Sequence, residues 1–166
     1  MVMNITLIGM SGVGKSRIGQ LLSKKLNYRF IDVDRLIEEE NGGRLQDLID
    51  CLGDAKFLEL EEKAILGIGE VCDSVISPGG SSIYSERAMG FLKSISKVVF
   101  LDASLEEIKR RRLNFWGRGI VGLKEKGLEG LFLERLPLYR RYADVTVDVA
   151  GLGDGAVVDR VIERLF

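Results

Sequence analysis

Gly9-Met10-Ser11-Gly12-Val13-Gly14-Lys15-Ser16 stands between an apolar run at 2–8 and a segment with apolar residues at Ile18, Leu21, Leu22 and Leu26. It matches the phosphate-binding pattern G-x-x-x-x-G-K-[ST]. Glycines let a backbone turn tightly and bring several N–H groups round one anion, and the N-terminus of the following helix adds partial positive charge. In this pattern Gly12, Val13 and Gly14 cradle phosphates with their backbone, Lys15 reaches the β- and γ-phosphates, and the Ser16 hydroxyl sits on Mg²⁺. A strand before the loop and a helix after it are the context the motif requires, so the chain is expected to bind a nucleoside triphosphate.

Outward from the loop, strand-like and helix-like segments alternate. Residues 2–8, 28–33, 73–77, 97–101 and 143–149 read as five short apolar strands, and 16–26, 36–40, 44–52, 55–68, 85–92, 104–112, 131–142 and 156–165 as helices. Ser104 and Glu107 have capping-box spacing, and Pro137 is expected to kink its helix or begin a new turn. The alternation predicts an α/β fold of three layers, a parallel sheet with helices on both faces. Ligands of such sheets bind at the carboxyl ends of the strands, where the Gly9–Ser16 stretch, Asp32 with Asp34, and Pro78-Gly79-Gly80 all fall. The whole chain, 1–166, reads as one domain, with a helical cover at about 34–68 and a glycine-rich mobile lid at about 113–130.

Composition narrows the classes. The chain has 24 basic and 25 acidic residues and a net charge of −1, so no general affinity for nucleic acid or anionic membranes is expected, and anion binding must be local. Its beginning lacks the basic region of a signal peptide, and no run is long enough to span a bilayer. Two widely spaced cysteines and no histidine argue against a disulfide framework or a Cys/His zinc site and point to a reducing cytoplasm. A monomer is the expected state. Without histidine, a general base must be a carboxylate, a lysine or a less usual group.

Asp32 and Asp34 lie two apart, and on an extended backbone their carboxylates point the same way. Near a bound triphosphate, one would place Mg²⁺ through water and the other meet an acceptor hydroxyl. A calcium loop is excluded, because Leu36 sits where a third ligand belongs. Arg118, in the glycine-rich segment, could close over a transferring phosphoryl group; Arg111 lies on the helix leading there. Arg135 could grip a carboxylate bidentately, and Gly79 and Gly80 would let a ligand approach the backbone closely.

Taken in order, the phosphate loop, Phe30-Ile31-Asp32-Val33-Asp34, the strand into Pro78-Gly79-Gly80, Leu101-Asp102-Ala103-Ser104 and Arg135-x-Pro-Leu-Tyr139 before Ala143-Asp144 resemble the shikimate kinase family over nearly the whole length. The resemblance implies a five-stranded sheet of order 2-3-1-4-5 and phosphorylation of the shikimate 3-hydroxyl by ATP, as in aromatic amino acid biosynthesis. It also implies roles: Lys15 and Ser16 for phosphates and Mg²⁺, Asp32 for the metal's water shell, and Asp34 for substrate hydroxyls and proton removal. Gly79 and Gly80 would line the acceptor site, Arg118 would serve the transferring phosphate, Arg135 the substrate carboxylate and Arg111 the adenine.

Three positions depart from the family. Its usual Phe-Arg is Phe57-Leu58, its Gly-Gly-Gly is Gly79-Gly80-Ser81, and its Arg-Pro-Leu-Leu is Arg118-Gly119-Ile120-Val121. Losing one arginine of a paired carboxylate clamp costs a few kcal/mol of recognition, at roughly 1.5–3 kcal/mol per charge-assisted bond, unless another cation such as Lys56 or Arg44 replaces it. A different hydroxy acid, homoserine or gluconate, is therefore the alternative acceptor. A GTPase-like switch is disfavoured: Asp50-Cys51-Leu52-Gly53 sits in a helical pattern and no Asn-Lys-x-Asp occurs. A non-catalytic nucleotide-binding protein is disfavoured by the intact Lys15, Ser16, Asp32, Asp34 and Arg118.

Overall fold

The computed structural model describes residues 3–111 and 115–166. The expected start of the first strand at Val2, the end of a helix at Arg112 and the first two lid residues lie outside them. Five parallel strands, β1 (Asn4–Ile8), β2 (Arg29–Asp32), β3 (Ser74–Ser77), β4 (Ser96–Asp102) and β5 (Val145–Asp148), form one sheet in the order β2-β3-β1-β4-β5. This is the predicted order. β1 is central, with Thr6 opposite both Ile76 and Val98, and every one of its residues is buried. A strand covered on both faces has no polar side to alternate, hence the continuous apolar run.

One polar residue opens that strand. The Asn4 amide donates to the carbonyls of Val71 and Ile95, and its oxygen accepts from the Ser74 backbone N–H. Asn4 thereby ties the entries of β3 and β4 to β1, satisfying groups that would otherwise be buried unpaired. At the far edge Asp144 does similar work, accepting from the Val98 N–H and from Lys93.

The helices are α1 (Lys15–Leu26), α2 (Val33–Asn41), α3 (Leu45–Leu52), α4 (Asp54–Leu66), α5 (Glu86–Ile95), α6 (Leu105–Arg110), α7 (Leu123–Tyr142) and α8 (Asp154–Leu165). Among the described residues none is long and apolar enough to cross a membrane. The Ser104 side chain caps α6 by accepting from the Glu107 N–H, as its spacing predicts.

Two expectations are corrected. Helix α2 begins directly after β2, so Asp32 and Asp34 do not share an extended backbone: Asp32 is the N-cap, accepting from the Arg35 N–H, and Asp34 lies in the first turn. A cap needs an extended residue with a short acceptor side chain, and Asp32, the last paired residue of β2, provides it. The segment at 113–130 is not irregular throughout either. A single 3₁₀ turn, Phe115–Gly117, leads to a loop, and α7 starts at Leu123. The break in α7 falls at Gly127 (φ 66°, ψ 173°), a conformation only glycine adopts cheaply, while Pro137 is accommodated within the helix without leaving helical geometry.

Candidate active site

The phosphate loop turns on Gly9, Gly12 and Gly14, whose φ angles are 151°, 89° and 103°. Gly14 is the N-cap of α1, which aims the helix N-terminus into the loop. The buried Lys15 Nζ donates to the carbonyls of Gly9 at 2.7 Å and Met10 at 3.1 Å. An ammonium has three donors, so one is left for a phosphate oxygen. Burial lowers its pKa to about 8, opposed chiefly by the Asp34 charge, and polyphosphate would restore the charged form. Ser16 donates to Asp32 Oδ2 at 2.9 Å. A hydroxyl and a carboxylate at the loop, with no group of three acidic, Cys or His ligands among the described residues, fit Mg²⁺, which keeps waters and phosphate oxygens as ligands rather than taking a protein cage.

These groups open onto a cleft of about 480 Å³ at the carboxyl ends of the strands. Lys15, Ser16, Arg111, Asp34, Gly79, Gly80 and Arg135 all line it, and Arg118 does so from the loop before α7. Arg111 Nη1 donates to the Val13 carbonyl at 2.8 Å, fixing this guanidinium on the phosphate loop. The fold thus gathers into one cleft residues from six separate segments. Two of the expected residues do not line the cleft: Asp32, which accepts from Ser16, and the buried Val13.

Desolvation raises the Asp34 pKa to about 6, with Lys15 pulling the other way and Asp32 adding to the rise. A carboxylate at that value can accept a proton near neutral pH and release it again. Gly79 explains why no side chain is tolerated beside it: a Cβ there would stand 2.8 Å from Asp34 Oδ1 and collide with Glu61 Oε1. At Gly80 a Cβ would stand 2.9 Å from Arg135 Nη1.

Arg135 is 1% exposed. Its Nη2 donates to the Val121 carbonyl at 2.8 Å and its Nε to the Tyr84 hydroxyl at 3.3 Å. One helical turn on, Tyr139 donates its hydroxyl to the Gly80 carbonyl at 2.6 Å and stacks on Phe100. Burial pushes this phenol up to about 12, so it stays a donor.

The departures resolve as follows. Ser81 lines the cleft, and its hydroxyl donates to Glu61 Oε2 at 2.6 Å. Leu58 is half-buried against the core, Lys56 is exposed, and Arg44 pairs with Asp47 at the surface; neither cation lines the cleft. Glu61 was not singled out from sequence, although a signal existed. It falls on the buried stripe of α4 with Phe57, Ala64 and Ile65. Tyr84 had no such signal, because its partners lie about 50 residues away in the chain.

Comparison with known proteins gives a consistent picture. A family model described as Shikimate kinase matches residues 11–166. A shikimate kinase of Sulfurihydrogenibium sp. is 33% identical, covering 98% of this chain and 97% of that one. One from Francisella tularensis subsp. novicida is 36% identical, covering 98% and 92%. Among solved structures, shikimate kinase from Acinetobacter baumannii in complex with shikimate superposes with a TM-score of 0.91 at 26% identity, over 99% of this chain and 93% of that one. Shikimate kinase from Aquifex aeolicus gives 0.85 at 32% identity, over 98% and 96%. With a parallel 2-3-1-4-5 sheet, an intact phosphate loop and full-length similarity of this kind, the chain belongs to the shikimate kinase family.

Proposed function

We propose that this chain transfers the γ-phosphoryl group of ATP to the 3-hydroxyl of shikimate, with Mg²⁺ as the metal. The observation that carries this reading is the single cleft lined both by the phosphate loop and by Asp34, the Gly79-Gly80 turn and buried Arg135. Phosphoryl transfer asks the protein chiefly to position two reactants and to stabilise charge, and this cleft offers groups for both. Mg²⁺ when bound neutralises charge on the phosphates.

The residues then divide the work. Gly12, Val13 and Gly14 cradle the phosphates with Lys15, and Arg111 flanks the adenine. Ser16 is a metal ligand, and Asp32 holds the metal's water. Asp34 orients the acceptor hydroxyl and takes its proton. Arg118 stabilises the transferring group, while Gly79, Gly80 and Arg135 hold the acceptor, Arg135 by its carboxylate. Residues 113–130 act as the lid and 34–68 as the cover of a single kinase domain, a cytoplasmic monomer.

A relative with shikimate bound supports this acceptor, and the one proton of the Ser81 hydroxyl is committed to Glu61 rather than to a ligand. The test is ADP release by purified protein with ATP, Mg²⁺ and shikimate, homoserine or gluconate in parallel. Release with shikimate alone is expected, with the product's position read by phosphorus NMR. Turnover with one of the others and none with millimolar shikimate would overturn the acceptor assignment, and gel filtration checks the monomer.

A further inference from the structure

Tyr84 lies outside the motifs that identify the family, yet the acceptor-side arginine rests on it. It ends the 3₁₀ turn Ser82–Tyr84, which is separated from Gly79 and Gly80 only by Ser81. Its ring faces the Arg135 guanidinium, with 5.4 Å from Cζ to the ring centroid, and its hydroxyl oxygen receives the Arg135 Nε–H at 3.3 Å. The hydroxyl has one proton, and that proton goes to Glu134 Oε1 at 2.5 Å. Lys126 donates to both oxygens of Glu134, at 2.8 and 2.7 Å, and keeps this carboxylate ionised.

The direction of these bonds matters. An ionised carboxylate only accepts, so Glu134 fixes the Tyr84 proton toward itself and turns a phenol lone pair toward Arg135. Arg135 then has Nε engaged by Tyr84 and one Nη2 hydrogen by Val121, and its Nη1 lies beside the Gly80 α-carbon. The joining is reciprocal. Tyr84 reaches from the turn to helix α7, and Tyr139 reaches from α7 back to the Gly80 carbonyl. The two tyrosines set the Gly79-Gly80 turn and Arg135 at a fixed separation, and an anion bridging them needs that separation to be right.

We infer that Tyr84 is a positioning residue of the acceptor site, holding Arg135 in the orientation that grips the acceptor's carboxylate, with Glu134 setting the direction of its hydroxyl bond. The inference rests on the reading of Arg135 as the carboxylate ligand. With the Leu58 position lacking a cation, one guanidinium carries this contact and its orientation counts for more.

The test compares Tyr84→Phe, Arg135→Lys, the double variant and Glu134→Gln, each measured for acceptor KM, ATP KM, kcat and thermal midpoint. Tyr84→Phe keeps the ring and removes only the hydroxyl; it is expected to raise the acceptor KM about tenfold, with ATP KM within about twofold and an unchanged melting curve. Glu134→Gln, at the surface, is expected to raise the acceptor KM in the same direction by less. In the Arg135→Lys background, Tyr84→Phe is expected to add nothing, because both changes remove one interaction. An additive double variant, or an unchanged acceptor KM in Tyr84→Phe alongside a raised one in Arg135→Lys, overturns the inference. An unchanged acceptor KM in Arg135→Lys instead overturns the reading of Arg135 itself.

Discussion

Ser81 gives its hydroxyl proton to one oxygen of Glu61, and the other, Oε1, is buried behind Gly79 with no hydrogen-bond partner among the described residues. Both residues mark places where this chain parts from its family's pattern, directly at Ser81 and through Leu58, which stands three residues before Glu61 on α4. Residues so spaced share a helix face, so the missing arginine would have stood beside this acid.

Burial, reinforced by the Asp34 charge, raises the Glu61 pKa to about 7 from its ordinary 4.5. Between those values the folded chain holds a proton that the unfolded chain has released, so stability declines as pH rises through the window. The stabilising contribution is complete below about 4.5 and gone above about 7. Urea melts across this range are expected to show a fall on the order of 1–3 kcal/mol from Glu61, added to a smaller one from the raised Asp34, and Glu61→Gln is expected to make the slope shallower. A parallel slope in the variant would assign the effect to another group.

Leu58→Arg places a guanidinium on the Glu61 face of α4 and gives Oε1 a partner. The expected results are a lower Glu61 pKa, a flatter stability profile and an acceptor KM reduced about tenfold, the value of one added charge-assisted bond. An unchanged acceptor KM would mean that this face of α4 does not reach the acceptor.

The loop that carries Arg118 is seated on α3 and the first residue of α4. Gly119 donates its N–H to Gln46 at 3.1 Å and Gly122 to Asp54 at 3.0 Å, while Lys124 pairs with Asp50. Gly119 has φ 68°, and a Cβ there would lie 2.6 Å from the Gln46 nitrogen. Gly119→Ala therefore unseats the loop. A loss in kcat of about 10- to 100-fold is expected with ATP affinity retained, read by single-turnover kinetics beside equilibrium nucleotide titration. Equal losses in both would indicate wider disruption.

Asp34 must be ionised to take the hydroxyl proton, and its pKa is raised to about 6. The acceptor kcat/KM, which reports the free enzyme, is expected to rise with pH through about 6 and then level off. Asp34→Asn is expected to cut kcat at least 100-fold while ATP still binds. Turnover preserved in that variant removes Asp34 from the chemistry.

Much of the donor side was legible because its physics is local. Gly9 to Ser16 form a loop whose glycines, cation and hydroxyl are contiguous, and the neighbouring apolar run and helical period reveal strand and helix. The acceptor side was legible as residue types but not as geometry. Asp32 and Asp34 looked equivalent from their spacing, yet α2 starts between them and makes one the helix cap and sets the other, half-buried, in the first turn. The glycine-rich stretch concealed the first turns of α7, since Gly127 breaks the helix without ending it.

The sequence by itself determined the alternating parallel architecture, the phosphate loop and the family. Each follows from period, composition and contiguous motifs, which need no knowledge of distant partners. Only the tertiary structure decided that Ser81 serves Glu61, that Tyr84 and Glu134 hold Arg135, and that α3 seats the Arg118 loop. Those contacts join residues from 20 to 73 positions apart. Their strength depends on burial and on which hydrogen-bond partner is left over, and both exist only once the chain is packed.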